Sequence, residues 1–253
     1  MTALAVLLGH DIGYSASPAM HNAAFGAIDL DARYEVRDVG ADALRAEVQA
    51  VRAEDRLGAN VTKPHKVAVC ELVDELAPEV QRLGAANTIV QVGGRLVAHN
   101  TDLPALAAEL PPAVRHAVVL GVGGASRAVV DALLAAGCED VVVVDRTRWP
   151  TLPAAVEAAD LLVNATPIGT GSDETPVPAE LLRADLAVLD LVYRPSPSRL
   201  VRDAQAAGAW ARGGAGMLLR QAALSFSMWT GREAPIDVMR LALRRELRSK
   251  AHA

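Results

Sequence analysis

The sequence is poor in aromatic side chains, lysine and cysteine, and it has no long apolar run. Aromatic residues are 3% of 253, too few to build base-stacking platforms. The formal charge of −5 offers no basic field for a polyanion, so nucleic acid is not an expected partner. The two cysteines, Cys70 and Cys138, form no CxxC pair. That spacing fits a reducing compartment with no structural zinc, and no metal site is expected. No apolar run reaches the roughly 20 residues that span a bilayer. The apolar start, residues 1–9, lacks the positive segment that precedes an export signal. The expectation is a cytoplasmic protein without a membrane partner.

Lysine is the most informative scarcity. The chain has three, Lys63, Lys66 and Lys250, against 22 arginines. Two of the three lie within Gly58-Ala59-Asn60-Val61-Thr62-Lys63-Pro64-His65-Lys66. A guanidinium stays charged at any working pH, whereas a desolvated amine can exchange a proton. Asn60 and Thr62 are spaced to point to one side of an extended segment. The stretch reads as a polyol-binding strand end carrying an acid/base, or as a solvated polar loop.

What is abundant is Ala, Val and Leu, with hydrophobic residues at 51%. That composition suits helices packed on Val-rich strands, an α/β fold of one or two domains. Residues 5–9, 33–39, 88–90 and 96–98 read as strands, and Gly93-Gly94 as a hairpin-type turn. Helices are expected over 42–52, from residue 66 through Leu76, and over 103–110. Ser17-Pro18 reads as the N-cap and first residue of another helix, where Ser15, Ser17 and free N–H groups could hold a carboxylate. An ordinary Ser-Pro cap would look the same. Three strand ends finish in small polar residues: Asn60/Thr62, Asn87/Thr88 and Asn100/Thr101/Asp102. Amides and hydroxyls gathered at strand ends suit a hydroxylated ligand.

The second half changes character. Residues 117–120 form an apolar strand, Gly121-Val122-Gly123-Gly124-Ala125-Ser126 a glycine turn, 127–136 a helix, and 141–144 a second strand ending in Asp145-Arg146-Thr147. This is the context of the dinucleotide fingerprint, although Ser126 stands where Gly or Ala is usual. Residues 161–167 and 187–193 repeat the pattern of strand then polar loop. Helices are expected over 200–207, 217–229 and 237–249, with a flexible hinge at 213–216.

In this order the residues resemble the shikimate dehydrogenases. The resemblance runs through Ser15-Ala16-Ser17-Pro18 with His21-Asn22, residues 58–66, Gly84 to Thr88, Asn100-Thr101-Asp102 and Gly121 to Ser126. It continues through Asn164-Ala165-Thr166-Pro167, Asp190 to Pro195, Gly216-Met217-Leu218, Gln221 and Trp229-Thr230-Gly231. It implies an N-terminal α/β substrate domain (1–103 with 215–253) and a Rossmann dinucleotide-binding domain (104–214). The C-terminal helices return to the first domain, and the active site lies in the cleft. The implied reaction is reversible NADP-dependent hydride transfer between shikimate and 3-dehydroshikimate, on the route to chorismate and the aromatic amino acids.

By position, Lys66 and Asp102 resemble the catalytic pair. Ser15 and Ser17, with Tyr193, resemble carboxylate binders, and Asn60, Thr62, Asn87 and Gln221 ligands of the ring hydroxyls. Gly121, Gly123, Gly124, Ala125, Ser126, Asp145, Arg146, Thr147 and Thr166 fall at cofactor positions, and Met217 resembles the residue packing near the nicotinamide. Asp102 would equally serve as an N-cap. The implied protein is a monomer or homodimer.

Four departures from the family pattern stand out. Asp11 and Tyr14 replace the usual proline and histidine before the serines. Leu103-Pro104 follows Asp102 where glycine is usual. Asp145 replaces the asparagine of Asn-Arg-Thr; an acid there favours NAD, while Arg146, Thr147 and Arg148 suit a 2′-phosphate. Asp145 is expected to pair with one of those arginines. Finally, Thr147 to Asp160 is short, and Pro150 and Pro153 leave little room for a helix before Ala154. The alternatives are a paralogue using quinate or aminoshikimate with NAD, a ligand-binding homologue of reduced activity, or a Rossmann scaffold for assembly.

Overall fold

A computed structural model describes residues 2–249. The chain divides into two compact units, Met1–Thr101 with Leu219–Ala253, and Asp102–Leu218. The first boundary falls after Thr101 rather than after Leu103, because Leu103 packs on the core of the second unit. The second falls at 218/219 rather than before residue 215, because Met217 packs on that same core.

The first unit is built on β1 (Ala3–Gly9), α1 (Ser17–Ala27), β2 (Ala32–Asp38), α2 (Leu44–Ala50) and β3 (Arg56–Val61). To these it adds β4 (Glu75–Leu76), α3 (Pro78–Leu83), β5 (Thr88–Val92) and β6 (Arg95–His99). The six strands form one mixed sheet in the order β2-β1-β3-β5-β6-β4. Strands β1, β2 and β3 run parallel, while β5 is antiparallel to both β3 and β6. Alternation along β1 sends Leu4, Val6 and Leu8 into one core with Val48, Val61, Ile89 and Leu96. Register sets Asn60 opposite Thr88, and Thr88 opposite His99. The polar strand ends therefore meet in one row.

The second unit comprises α4 (Asp102–Ala107), β7 (His116–Leu120), α5 (Gly124–Ala135), β8 (Asp140–Val144) and α6 (Leu152–Glu157). It continues with β9 (Leu161–Asn164), β10 (Ala187–Asp190), α7 (Arg199–Ala206) and β11 (Ala211–Gly213). All five strands are parallel, in the order β11-β10-β9-β7-β8. Val118, Leu120, Leu162 and Val188 enter one core, and Ala117, Val119, Leu161, Val163 and Leu189 the other. Both faces are covered, which is why these strands read as continuous apolar runs. Two further helices, α8 (Ala215–Thr230) and α9 (Ile236–Ser249), close the described chain, and α9 packs on α1. Among the described residues no helix is long and apolar enough to cross a membrane.

Three local expectations fail. The helix expected from residue 66 through Leu76 is a single 3₁₀ turn, Ala68–Glu71, and then the edge strand β4. Pairing of Glu75 and Leu76 with Val97 and Ala98 outweighs helix propensity there. Ser17 is not a cap: Ala16 holds that position, and Ser17 lies buried in the first turn of α1. The expected hinge at 213–216 is instead the end of β11 and the start of α8. Between Thr147 and Asp160 a six-residue helix, α6, does form, with Pro153 in its first turn, where a missing N–H costs nothing. No strand follows β8 before β9, so β8 is an edge.

Candidate active site

In the first unit the polar strand ends form one buried hydrogen-bond network. Tyr34 on β2 donates its hydroxyl to Asn60 Oδ1 at 2.8 Å. Asn60 Nδ2 reaches Ser225 Oγ at 2.9 Å, Thr88 Oγ1 at 3.1 Å and the Asn87 carbonyl at 3.2 Å. Asn87 Oδ1 accepts from the Thr101 backbone N–H at 2.8 Å, and Asn87 Nδ2 donates to Thr101 Oγ1 at 3.0 Å. One N–H of the Asn87 amide lies beyond these bonds. The Asn60 amide nitrogen, by contrast, has three acceptors for its two N–H groups. Gln221, buried one turn before Ser225 on α8, takes the Ser225 hydroxyl on its backbone carbonyl at 3.0 Å.

The Thr62–Lys66 loop is pinned from several sides. Thr62 N–H donates to Leu8 O at 2.8 Å, and His10 N–H to Lys63 O at 3.0 Å. Buried His65 bonds the Val39 carbonyl through Nε2 at 2.6 Å. The Lys66 carbonyl accepts the Ala86 N–H at 2.8 Å, which ties the half-buried lysine to the turn leading into Asn87. A Cβ on Gly9 would stand 2.5 Å from the Thr62 methyl, so only glycine lets the two loops approach this closely. Among the described residues the Thr62 hydroxyl has no partner.

Ser15 Oγ accepts the Ser17 backbone N–H at 3.2 Å. The Ser17 hydroxyl faces that of Tyr34, whose pKa burial drives upward, the Ser17 contact opposing it. Nearby, His10 Nδ1 lies 2.8 Å from Asp38 Oδ1, and this bond raises the imidazole pKa and lowers that of the carboxyl. His10, Asp11 and Asp38 bring ligand-type atoms within 4.8 Å of one another, all exposed.

In the second unit the carboxyl ends of the strands are level: Val144, Leu120, Asn164, Asp190 and Gly213 share one row. Strand β7 has β8 on one side and β9 on the other, so the order in which strands are added reverses at this point. The crevice outside the carboxyl ends at such a switch point is where α/β sheets take ligands. Gly121 opens that loop; a Cβ on it would sit 3.2 Å from the Ala165 carbonyl. A Cβ on Gly123 or Gly124 would meet nothing within 4 Å. That free space, with the first-turn N–H groups of α5 beside it, fits a pyrophosphate. Ser126 turns inward and donates to Gly121 O at 2.6 Å, so what it offers a ligand is backbone N–H. Ala125 sits beside it in the same first turn.

Asp145 does not pair with an arginine as expected. Its Oδ1 accepts from Thr147 Oγ1 at 2.7 Å, Thr147 N–H at 2.8 Å and Arg148 N–H at 3.0 Å. These bonds, led by the Thr147 hydroxyl, lower its pKa. An asparagine oxygen would accept all three equally, so the acid stands in for the family's amide in turn geometry. Arg148 bonds the Val143 carbonyl, and Arg146 is exposed. The Thr166 hydroxyl bonds Asn164 Oδ1 at 2.7 Å, and Asn164 Nδ2 bonds buried Asp190 at 2.9 Å. Burial raises the Asp190 pKa, with Ser198, Val192 and Asn164 opposing. Tyr193 is half-buried in the loop after β10.

Sequence reasoning passed over Tyr34 and Ser225. Ser225 had a signal, since it lies four residues after Gln221 on one helix face. Tyr34 had none beyond being one of three tyrosines.

Fold and loops together describe a two-unit α/β protein whose second unit is of the dinucleotide-binding type. Residues 7–89 match the family description "Shikimate dehydrogenase substrate binding domain", and residues 214–244 match "Shikimate 5'-dehydrogenase C-terminal domain". The NADP(+) shikimate dehydrogenase of Symbiobacterium thermophilum is 40% identical over 93% of this chain and 92% of its own. Shikimate 5-dehydrogenase of Thermus thermophilus, solved with NADP(H) and shikimate, superposes with a TM-score of 0.86 at 40% identity, covering 96% of this chain and 99% of that one. Quinate dehydrogenase of Corynebacterium glutamicum, solved with NAD, gives a TM-score of 0.87 at 29% identity, covering 96% and 99%. The chain belongs to the shikimate dehydrogenase family.

Proposed function

We propose that this chain interconverts shikimate and 3-dehydroshikimate with NADP, using Lys66 and Asp102 for the proton. The observation that carries the reading is the buried row of Asn60, Thr88, Asn87 and Thr101, which ends beside the lysine loop. NADP supplies a hydride acceptor and donor. The chain's own task is to hold a hydroxylated ring acid and move one proton. Ser15 and Ser17 take the carboxylate, with Tyr193 contributing. The free N–H of Asn87, the Thr62 hydroxyl and Gln221 take the ring hydroxyls, while Asn60 braces them through its network. Lys66 accepts the hydroxyl proton during oxidation and returns it during reduction. Asp102, the first residue of α4, orients the amine and the reacting hydroxyl.

On the cofactor side, the N–H groups of Gly124, Ala125 and Ser126 hold the pyrophosphate. Arg146, with Thr147 beside it, takes the 2′-phosphate, and Met217 packs near the nicotinamide. Asp145 keeps its charge in that turn, and the exposed guanidinium of Arg146 next to it is the group that favours NADP. Of these groups Ser15, Ser17, Thr62, Asn87 and Gln221 belong to the first unit, and the glycine loop with Arg146 to the second.

The test mixes purified protein with shikimate or quinate and NADP or NAD, and follows nicotinamide absorbance in all four combinations. Shikimate with NADP is expected to be fastest. Quinate with NAD in the lead would favour the paralogue, and silence in all four would favour a binding protein.

A further inference from the structure

Lys63 is left over from this account. It is exposed, and its ammonium stands 5.4 Å from the centre of the Tyr14 ring. Among the described residues it makes no ion pair or side-chain hydrogen bond. Its backbone is held firmly, through the bonds of Thr62 to Leu8, of His10 to Lys63, and of His65 to Val39. The loop carrying Lys63 therefore touches the segment 9–17 at three places: the Thr62 methyl against Gly9, Lys63 O against His10 N–H, and the ammonium over Tyr14. Tyr14 directly precedes Ser15.

Charge bookkeeping around the two serines points the same way. Ser15 and Ser17 are neutral donors and can direct a carboxylate, but they cannot neutralise it. Of the nearby acids, Asp38 is engaged by His10 at 2.8 Å, and Asp11 stands 3.9 Å from the same imidazole. Lys63 is the cation that none of them uses. The face of an aromatic ring holds an ammonium without a counter-ion, and a long flexible stem lets it leave that face when an anion arrives. A chain that otherwise chooses arginine has here a compact point charge rather than a planar fork.

We infer that Lys63 is a specificity-determining residue whose ammonium supplies the counter-charge for the substrate carboxylate held at Ser15 and Ser17, with Tyr14 as its resting platform. The inference rests on the functional reading above. It sets the preference for an anionic ring acid over its neutral analogues.

The experiment compares the full chain with Lys63→Met and Lys63→Arg, using NADP with shikimate and with shikimate methyl ester. At low salt Lys63→Met should raise the shikimate KM about 5-fold, with kcat and the NADP KM changed by less than about twofold. Lys63→Arg should recover most of the loss. High salt should raise the shikimate KM of the unaltered chain and barely move that of Lys63→Met. With the methyl ester the two should coincide. An unchanged shikimate KM in Lys63→Met, or an equal rise with the ester, overturns the assignment. If the unaltered chain does not turn over shikimate, the functional reading fails instead. Calorimetric binding of shikimate, weakened by the same factor in Lys63→Met or not weakened, then decides the role of Lys63.

Discussion

His21 should make this protein lose stability in mild acid. Its ring is fully buried, stacked 4.3 Å from the Tyr34 ring at an interplanar angle of 8°, with Trp229 at 5.2 Å. Neither ring nitrogen has a hydrogen-bond partner among the described residues. Burial pushes its pKa from 6.5 down to about 3. The folded state therefore keeps the imidazole neutral, while the unfolded chain takes up a proton below pH 6.5. With the folded value depressed, stability is full above that pH and falls as pH drops from 6.5 toward 3. The slope is about 1.4 kcal/mol per pH unit, so between pH 7 and about 4.5 the cost is about 2.5 kcal/mol. His21→Phe keeps an aromatic ring in the cluster and removes the proton site. Urea unfolding at a series of pH values, followed at Trp229 with Trp149 and Trp210 replaced by Phe, measures the difference. The Phe variant should lose about 2.5 kcal/mol less than the unaltered ring over that range. Parallel curves for the two proteins would refute the reasoning. His10 titrates with the opposite sign, because Asp38 raises its pKa, and it cancels in the comparison.

Three further outcomes can be checked. Lys66→Ala should cut turnover about 10²–10⁴-fold while shikimate binding is partly kept, and near-normal turnover would exclude the amine from proton transfer. Tyr34→Phe deprives buried Asn60 Oδ1 of its donor and should cost about 1–3 kcal/mol of stability, with the shikimate KM rising more than kcat falls. Gly58→Ala would place a Cβ 2.2 Å from Trp229 Nε1 and 2.4 Å from the Ile89 carbonyl, the two ends of a 3.0 Å hydrogen bond. It should destabilise the first unit by about 2–4 kcal/mol in thermal or urea melts, and an unchanged midpoint would contradict that close approach.

Much of the fold was legible because its signals are local. The apolar strands at 117–120, 141–144 and 161–164 read directly, since a sheet covered on both faces leaves no polar alternation to decipher. The glycine turn before α5 read equally well, as backbone room is a property of the residues themselves. Asp145 was misread in part: its charge was visible, but the turn that engages its Oδ1 was not. The stretch after Lys66 failed because two residues, Glu75 and Leu76, pair with a strand more than twenty positions away.

Residue types and their spacing alone marked the candidate groups: an amine kept among arginines, amides and hydroxyls at strand ends, and a glycine loop opening a helix. These survive in sequence because proton affinity, hydrogen-bonding capacity and backbone freedom belong to single residues. Only the tertiary structure decided which of them are engaged by their neighbours and which keep a donor to offer. Asn60 meets Ser225 across 165 positions, and Trp229 reaches Ile89 across 140. Whether an amide still has an N–H to offer depends on partners that only the folded chain brings within reach.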